Sequence, residues 1–125
     1  MTARLYVIQD DLFFAERVRM TARRLRVEVE LLSPAAAENR QWEPDSVVAL
    51  QVTVNPERQL ELVERLMQAA PPPRVVAVTG HLEAEKRSRA RALGAILAAH
   101  SSMERVLARA LKVNAGNDDA SLKPR

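Results

Sequence analysis

The sequence contains no cysteine, which excludes disulfides and thiol chemistry and makes a reducing cytoplasm the expected compartment. Aromatic residues make up only 3%, so aliphatic side chains and alanine must fill the core. No segment approaches the ~20 consecutive apolar residues of a membrane span. The opening MTARLYVIQDD lacks the apolar run of a secretory signal, so no membrane association is expected. A strong charge of one sign is missing too. The net charge of +3 leans mildly toward acidic partners and does not by itself imply nucleic acid.

What is present suits one globular domain. The 125 residues are 47% hydrophobic and 28% charged, enough for a proper core. Arg4 to Ile8 forms an apolar strand, ended by Gln9, Asp10 and Asp11. From Leu12 to Arg26 the set Phe14, Val18, Ala22, Leu25 recurs at helical spacing, with Arg17, Arg19, Arg23, Arg24 and Arg26 on the other face. Val27 to Leu32 alternates as an edge strand does. Ser33-Pro34 and Asn55-Pro56 both pair a capping residue with a first-turn proline. Between them Ser46 to Val54 reads as the central strand. Leu60, Val63, Leu66, Met67 and Ala70 line the next helix, which Pro71-Pro72-Pro73 ends.

Val75 to Thr79 is β-branched and continuous, as a strand covered on both faces is. Leu82 to Leu93 is helical and basic, with Lys86, Arg87, Arg89 and Arg91, and Gly94 stands where a left-handed helix end belongs. Ala95 to Ala99 makes a last strand. Ser101 and Glu104 have capping-box spacing before a helix lined by Met103, Val106, Leu107, Ala110 and Leu111. Residues 114–125 show no periodicity and read as a flexible tail after a single domain of residues 1–113. Five strands alternating with five helices predict an α/β fold, a doubly wound five-stranded parallel sheet of flavodoxin-like order 2-1-3-4-5 with helices on both faces. Sites in such sheets form outside the carboxyl ends of the strands.

A nucleotide or flavin site would need a glycine-rich loop after the first strand, so that backbone N–H groups cradle phosphate. Here that loop is Gln9-Asp10-Asp11, and the glycines are Gly80, Gly94 and Gly116. Cofactor phosphate binding is therefore rejected, and no cofactor is expected. Asp10, Asp11, His81 and His100 fall at strand ends and are the candidate ligands of a divalent cation, although the expectation is that no metal binds. Trp42 is read either as packing under the short second helix or as a partner anchor.

RLYVIQDDLFFAERVRMTARRL, RVVAVTGH and LGAILAAHSSMERVLARAL, in this order, resemble the first strand and helix, the fourth strand, and the fifth strand with last helix of response-regulator receiver domains. The resemblance spans Ala3 to Leu111. Receivers hold Mg²⁺ with two acids after the first strand, take phosphate on an aspartate ending the third, and place a lysine at the end of the fifth. Carried onto this sequence, the acidic pair falls on Gln9 and Asp10, with Asp11 beside them. The acceptor falls on Leu50, or on Gln51 or Val52 in a shifted register. Thr79 matches the switch position, and the lysine falls on Ser101, or on Ala98 in a shorter register.

The resemblance thus implies a pseudo-receiver, a receiver-like fold without phosphotransfer and not an enzyme. It would act in two-component-type signalling by protein–protein interaction, with a protein partner or as a homodimer. The expected interaction surface is the fourth helix and fifth strand, around Arg87, Arg91, Ala95 and Ala99. Two alternatives stand beside it: a nucleic-acid-associated regulator using the arginine-rich helix faces, and a small metal-binding enzyme at the strand ends.

Overall fold

Short apolar runs rich in valine, leucine and alanine pair here into one parallel sheet, because each alternates its side chains between two helix-covered faces. The computed structural model describes residues 4–80 and 83–113. In chain order the elements are β1 (Leu5–Ile8), α1 (Leu12–Leu25), β2 (Val29–Leu32), α2 (Pro34–Glu38), β3 (Val47–Gln51), α3 (Pro56–Met67), β4 (Arg74–Thr79), α4 (Ala84–Ala92), β5 (Ile96–Ala99) and α5 (Met103–Leu111). A single 3-10 turn, His100–Ser102, joins β5 to α5. The strand order is β2-β1-β3-β4-β5 and every pair is parallel, the flavodoxin-like order expected from the alternation of strands and helices.

The register assigns each face. Val7 lies opposite Ala49, Ala49 opposite Val76, and Val78 opposite Ala98. These residues, with Leu5 and Val47, pack against Phe14 and Val18 of α1 and Met103 and Leu107 of α5. Their neighbours Tyr6, Ile8, Val48, Leu50, Val75 and Ala77 form the other layer with Leu60, Val63 and Leu66 of α3 and Ala90 of α4. Burying each large aliphatic side chain contributes about 1.5–3 kcal/mol, which is how a chain so poor in aromatics holds together. No described helix is long and apolar enough to cross a membrane.

Local details depart from the sequence expectations in instructive ways. Ser33 caps α2 as expected, its Oγ accepting from the Ala36 N–H at 3.1 Å. Asn55 does not cap α3 with its side chain; it adopts a left-handed backbone (φ 54°) and turns the chain into the helix instead. The capping box of Ser101 and Glu104 is not formed. The 3-10 turn moves the cap position to Ser102, whose Oγ accepts from the Ala99 N–H at 3.0 Å, and Glu104 pairs with Arg24 at 2.8 Å. Gly94 has the predicted left-handed conformation, φ 102°.

α3 ends at Met67, so Ala70 is exposed and Leu62 takes its place in the buried stripe. Trp42 is buried edge-on against Tyr6, with the Arg40 guanidinium over the Tyr6 ring at 4.6 Å, so it is packing and not an exposed anchor. The tail expected at 114–125 lies outside the described residues.

Candidate functional site

The carboxyl ends of β1 and β3, with α3 beside them, bring the acidic turn and two glutamines together. Asp11 is the N-cap of α1: its Oδ1 accepts from the Phe13 N–H at 2.8 Å. Its Oδ2 accepts from Nε2 of Gln51, the last residue of β3, at 3.0 Å. Asp10 is held in parallel fashion, its Oδ2 accepting from Nε2 of Gln59 on α3 at 2.8 Å. The Phe13 N–H first, and the Gln51 amide second, hold the Asp11 carboxyl below its usual range. Gln9, the third member of the expected acidic group, is exposed.

Gln59 is 1% exposed, and its Oε1 is buried without a hydrogen-bond partner among the described residues. An orphaned buried carbonyl costs about 1–3 kcal/mol, so the contact that turns the nitrogen toward Asp10 outweighs satisfaction of the oxygen. Gln59 escaped the sequence reading, yet a signal was there: position 59 lies four before Val63 and seven before Leu66 on the buried stripe, so a polar side chain points inward.

Leu50, expected at the rim, is not there. It is fully buried on the opposite face of β3, under α3, because neighbouring strand residues point to opposite sides of the sheet. Gln51, one residue on, is the side chain that reaches the acids. Ser101 is likewise not at the end of β5: it is exposed within the 3-10 turn, while Ala99 ends the strand and lies opposite Thr79. Ala98, the shorter register, is core. Thr79 is fully buried, and its Oγ1 lies 3.2 Å from the Arg87 guanidinium, which donates to it.

Beside Thr79 a second cluster closes the rim. The Glu83 Oε1 accepts from the Gly80 N–H at 2.7 Å and from the Thr53 hydroxyl at 3.2 Å, and its Oε2 accepts from Lys86 at 2.8 Å. The Lys86 ammonium, then the Gly80 N–H and the Thr53 hydroxyl, hold the Glu83 carboxyl below its usual range.

The four candidate cation ligands are not brought together among the described residues. His81 lies outside them, and no group of three His, Asp or Glu side chains converges among those described. His100 is partly buried, its Nδ1 without a partner among the described residues, and burial, with Arg17 nearby, lowers its pKa. The expected interaction surface changes as well. Ala95 is buried against the α3 side of the sheet, Ala99 is half-buried and Arg87 is engaged with Thr79, which leaves Arg91 exposed of the four, with Ala92 and Ile96 exposed beside it. The arginines of α1 are partly taken up within the molecule: Arg17 donates to the His100 carbonyl, Arg24 pairs with Glu104, and Arg19 lies beside Glu16.

The sequence matches no protein-family model and no curated protein. Solved structures are similar to it in fold. A response-regulator receiver protein from Burkholderia phymatum superposes with a TM-score of 0.67 at 20% identity, covering 91% of this chain and 98% of that one. A response regulator from Colwellia psychrerythraea gives 0.69 at 12% identity over 90% and 98%. A response regulator of red light signalling in R. palustris gives 0.55 at 14% over 85% and 89%. At these identities the likeness is one of fold.

Proposed function

We propose that this chain is a receiver-like signalling module that takes no phosphate and works by binding another protein. The observation that carries the reading is the Gln51 amide at the end of β3, turned onto Asp11 at 3.0 Å. In this register the acceptor position is Gln51 and not Leu50, and the lysine position is Ala99. A carboxamide lacks the anionic oxygen that forms an acyl phosphate, and alanine supplies no cation to offset the charge that develops on a transferred phosphoryl group.

The donor set does not suit the Mg²⁺ of receivers either. Divalent cations of this kind take oxygen ligands, whereas both carboxylates here already face N–H donors from Gln51 and Gln59. The test is intact-mass spectrometry after incubation with acetyl phosphate and Mg²⁺. The expected result is an unchanged mass; a hydroxylamine-sensitive gain of one phosphoryl group would overturn the reading.

For the partner, a protein or a second copy, the proposed contact is the α4–β5 face. Arg91 and Ile96 are exposed there, and a partly apolar face with an arginine suits a protein interface. The paired arginines of α1 make nucleic acid the less supported partner. Replacing Arg91→Glu together with Ile96→Lys is expected to weaken association in sedimentation velocity while leaving the circular dichroism spectrum unchanged. Unchanged association would move the contact to another surface.

A further inference from the structure

Glu83 is the residue just before α4, yet its side chain makes no capping bond to that helix. It reaches back instead. Three donors from three separate stretches converge on its carboxylate: the Thr53 hydroxyl after β3, the Gly80 N–H after β4, and the Lys86 ammonium in the first turn of α4. The Glu83 N–H in turn donates to the Gly80 carbonyl at 3.1 Å. A Cβ at Gly80 would stand 3.2 Å from Glu83 Oε1, so a side chain there would push the carboxylate back by a few tenths of an ångström.

A backbone N–H, a hydroxyl and an ammonium around one point are the donor set that recognises a small oxyanion. We propose that these three groups form an oxyanion cradle which the chain fills with its own Glu83 carboxylate, an internal anion that latches the β3–α3 and β4–α4 connections together. The side chain of Glu83 is 20% exposed, so the latch is sheltered but lies within reach of solvent. The other groups that bear on it are Arg87, which holds the adjacent Thr79, and His100, which interacts electrostatically with Glu83. While Glu83 is in place its negative charge excludes a competing anion. Its removal leaves the positive and N–H donors facing an empty place of carboxylate size.

The latch stands on its own geometry and does not depend on Gln51. The test titrates inorganic phosphate at low salt into the parent chain, Glu83→Ala and Glu83→Gln, following backbone amides by ¹H–¹⁵N NMR. The expected result is no saturable shift of the Gly80 amide in the parent and a saturable, dialysable shift in Glu83→Ala. Adding Lys86→Met to that variant should weaken binding roughly tenfold, the effect of losing one charge-assisted hydrogen bond. Glu83→Gln keeps the shape of the side chain and should still admit phosphate more readily than the parent. The proposal is overturned if the parent and the Glu83 variants titrate alike, or if folded Glu83→Gln and Glu83→Ala bind no phosphate. Non-covalent binding here and a covalent mass gain with acetyl phosphate are separate readouts, so either proposal can fail without the other.

Discussion

Gln51 Nε2 donates to Asp11 Oδ2 over 3.0 Å, tying the last residue of β3 to the residue that caps α1. Both oxygens of Asp11 are thereby employed, one on a helix N-terminus and one on an amide. A carboxylate satisfied in this way is a structural acceptor. It ties α1 to the centre of the sheet at the end where doubly wound folds place their sites.

Gln51→Asp puts a second carboxylate against Asp11 and removes the amide donor. Like charges at that distance disfavour full ionisation of both groups. The expected cost is about 1–3 kcal/mol at neutral pH, a fall of several degrees in melting temperature. The loss should shrink at acidic pH, where one of the pair takes a proton. Thermal melts of parent and variant at pH 7 and pH 4 measure both effects. Acetyl phosphate should still leave no phosphoryl adduct on this variant, because Ala99 supplies no cation. An unchanged melting temperature would show that the Gln51–Asp11 bond carries no stability.

Acid should destabilise the fold in two stages. A group whose pKa is lower folded than unfolded adds stability above its unfolded pKa and loses it as pH falls through the folded value. His100 is such a group, lowered by burial from an ordinary 6.5, so the first decline belongs below about pH 6.5. Glu83 and Asp11 are lowered from ordinary values of 4.5 and 3.8, so the second decline belongs below those values. Urea unfolding from pH 8 to pH 3 checks the profile, and His100→Asn should remove the first stage while keeping the second. Stability that rises between pH 7.5 and pH 5.5 would contradict the placement of His100.

Gly94→Ala should be costly for a reason local to the backbone. Its φ of 102° lies in the region that side chains avoid, and a Cβ there would stand 3.0 Å from the terminal methyl of Met67. A strained backbone position of this kind costs about 1–3 kcal/mol. Adding Met67→Ala removes the contact but not the strain, so the double variant should recover none of the backbone part. Chemical denaturation of the parent, both single variants and the double variant separates the two contributions. A Gly94→Ala chain as stable as the parent would contradict the assigned conformation.

Much of this fold was legible before any coordinates. The strands of β1, β3 and β4 are apolar on both faces because helices cover both, and that produces continuous runs in the sequence. Ser33-Pro34 and Gly94 are local signals, and local geometry obeyed them. Other local signals were overridden: Asn55 precedes Pro56 as a cap would, yet makes no side-chain cap bond. Ser101 and Glu104 have the spacing of a cap, yet one 3-10 turn moves the cap to Ser102 and frees Glu104 for Arg24. Ala95 looks like a surface alanine in sequence and is core, because β5 begins at Ile96 and Ala95 turns inward just before it.

The sequence by itself determined the class of fold and the absence of an acid at the end of the third strand, since Leu50, Gln51 and Val52 supply none in any register. It also carried the alternation of strands and helices, because periodicity acts along the chain and needs no partner to be read, while the order β2-β1-β3-β4-β5 is set by which strands pair. Only the tertiary structure decided which of those residues faces the rim. A strand alternates its side chains between opposite faces, so one step in register exchanges a leucine under α3 for a glutamine bonded to Asp11. The same holds for Gln59 on Asp10, 49 positions apart, and for Thr53 with Glu83, 30 apart. Such pairs come within a hydrogen bond's length only once the sheet has set the strand ends side by side. A bond of that length depends on three-dimensional distance, which a linear sequence does not contain.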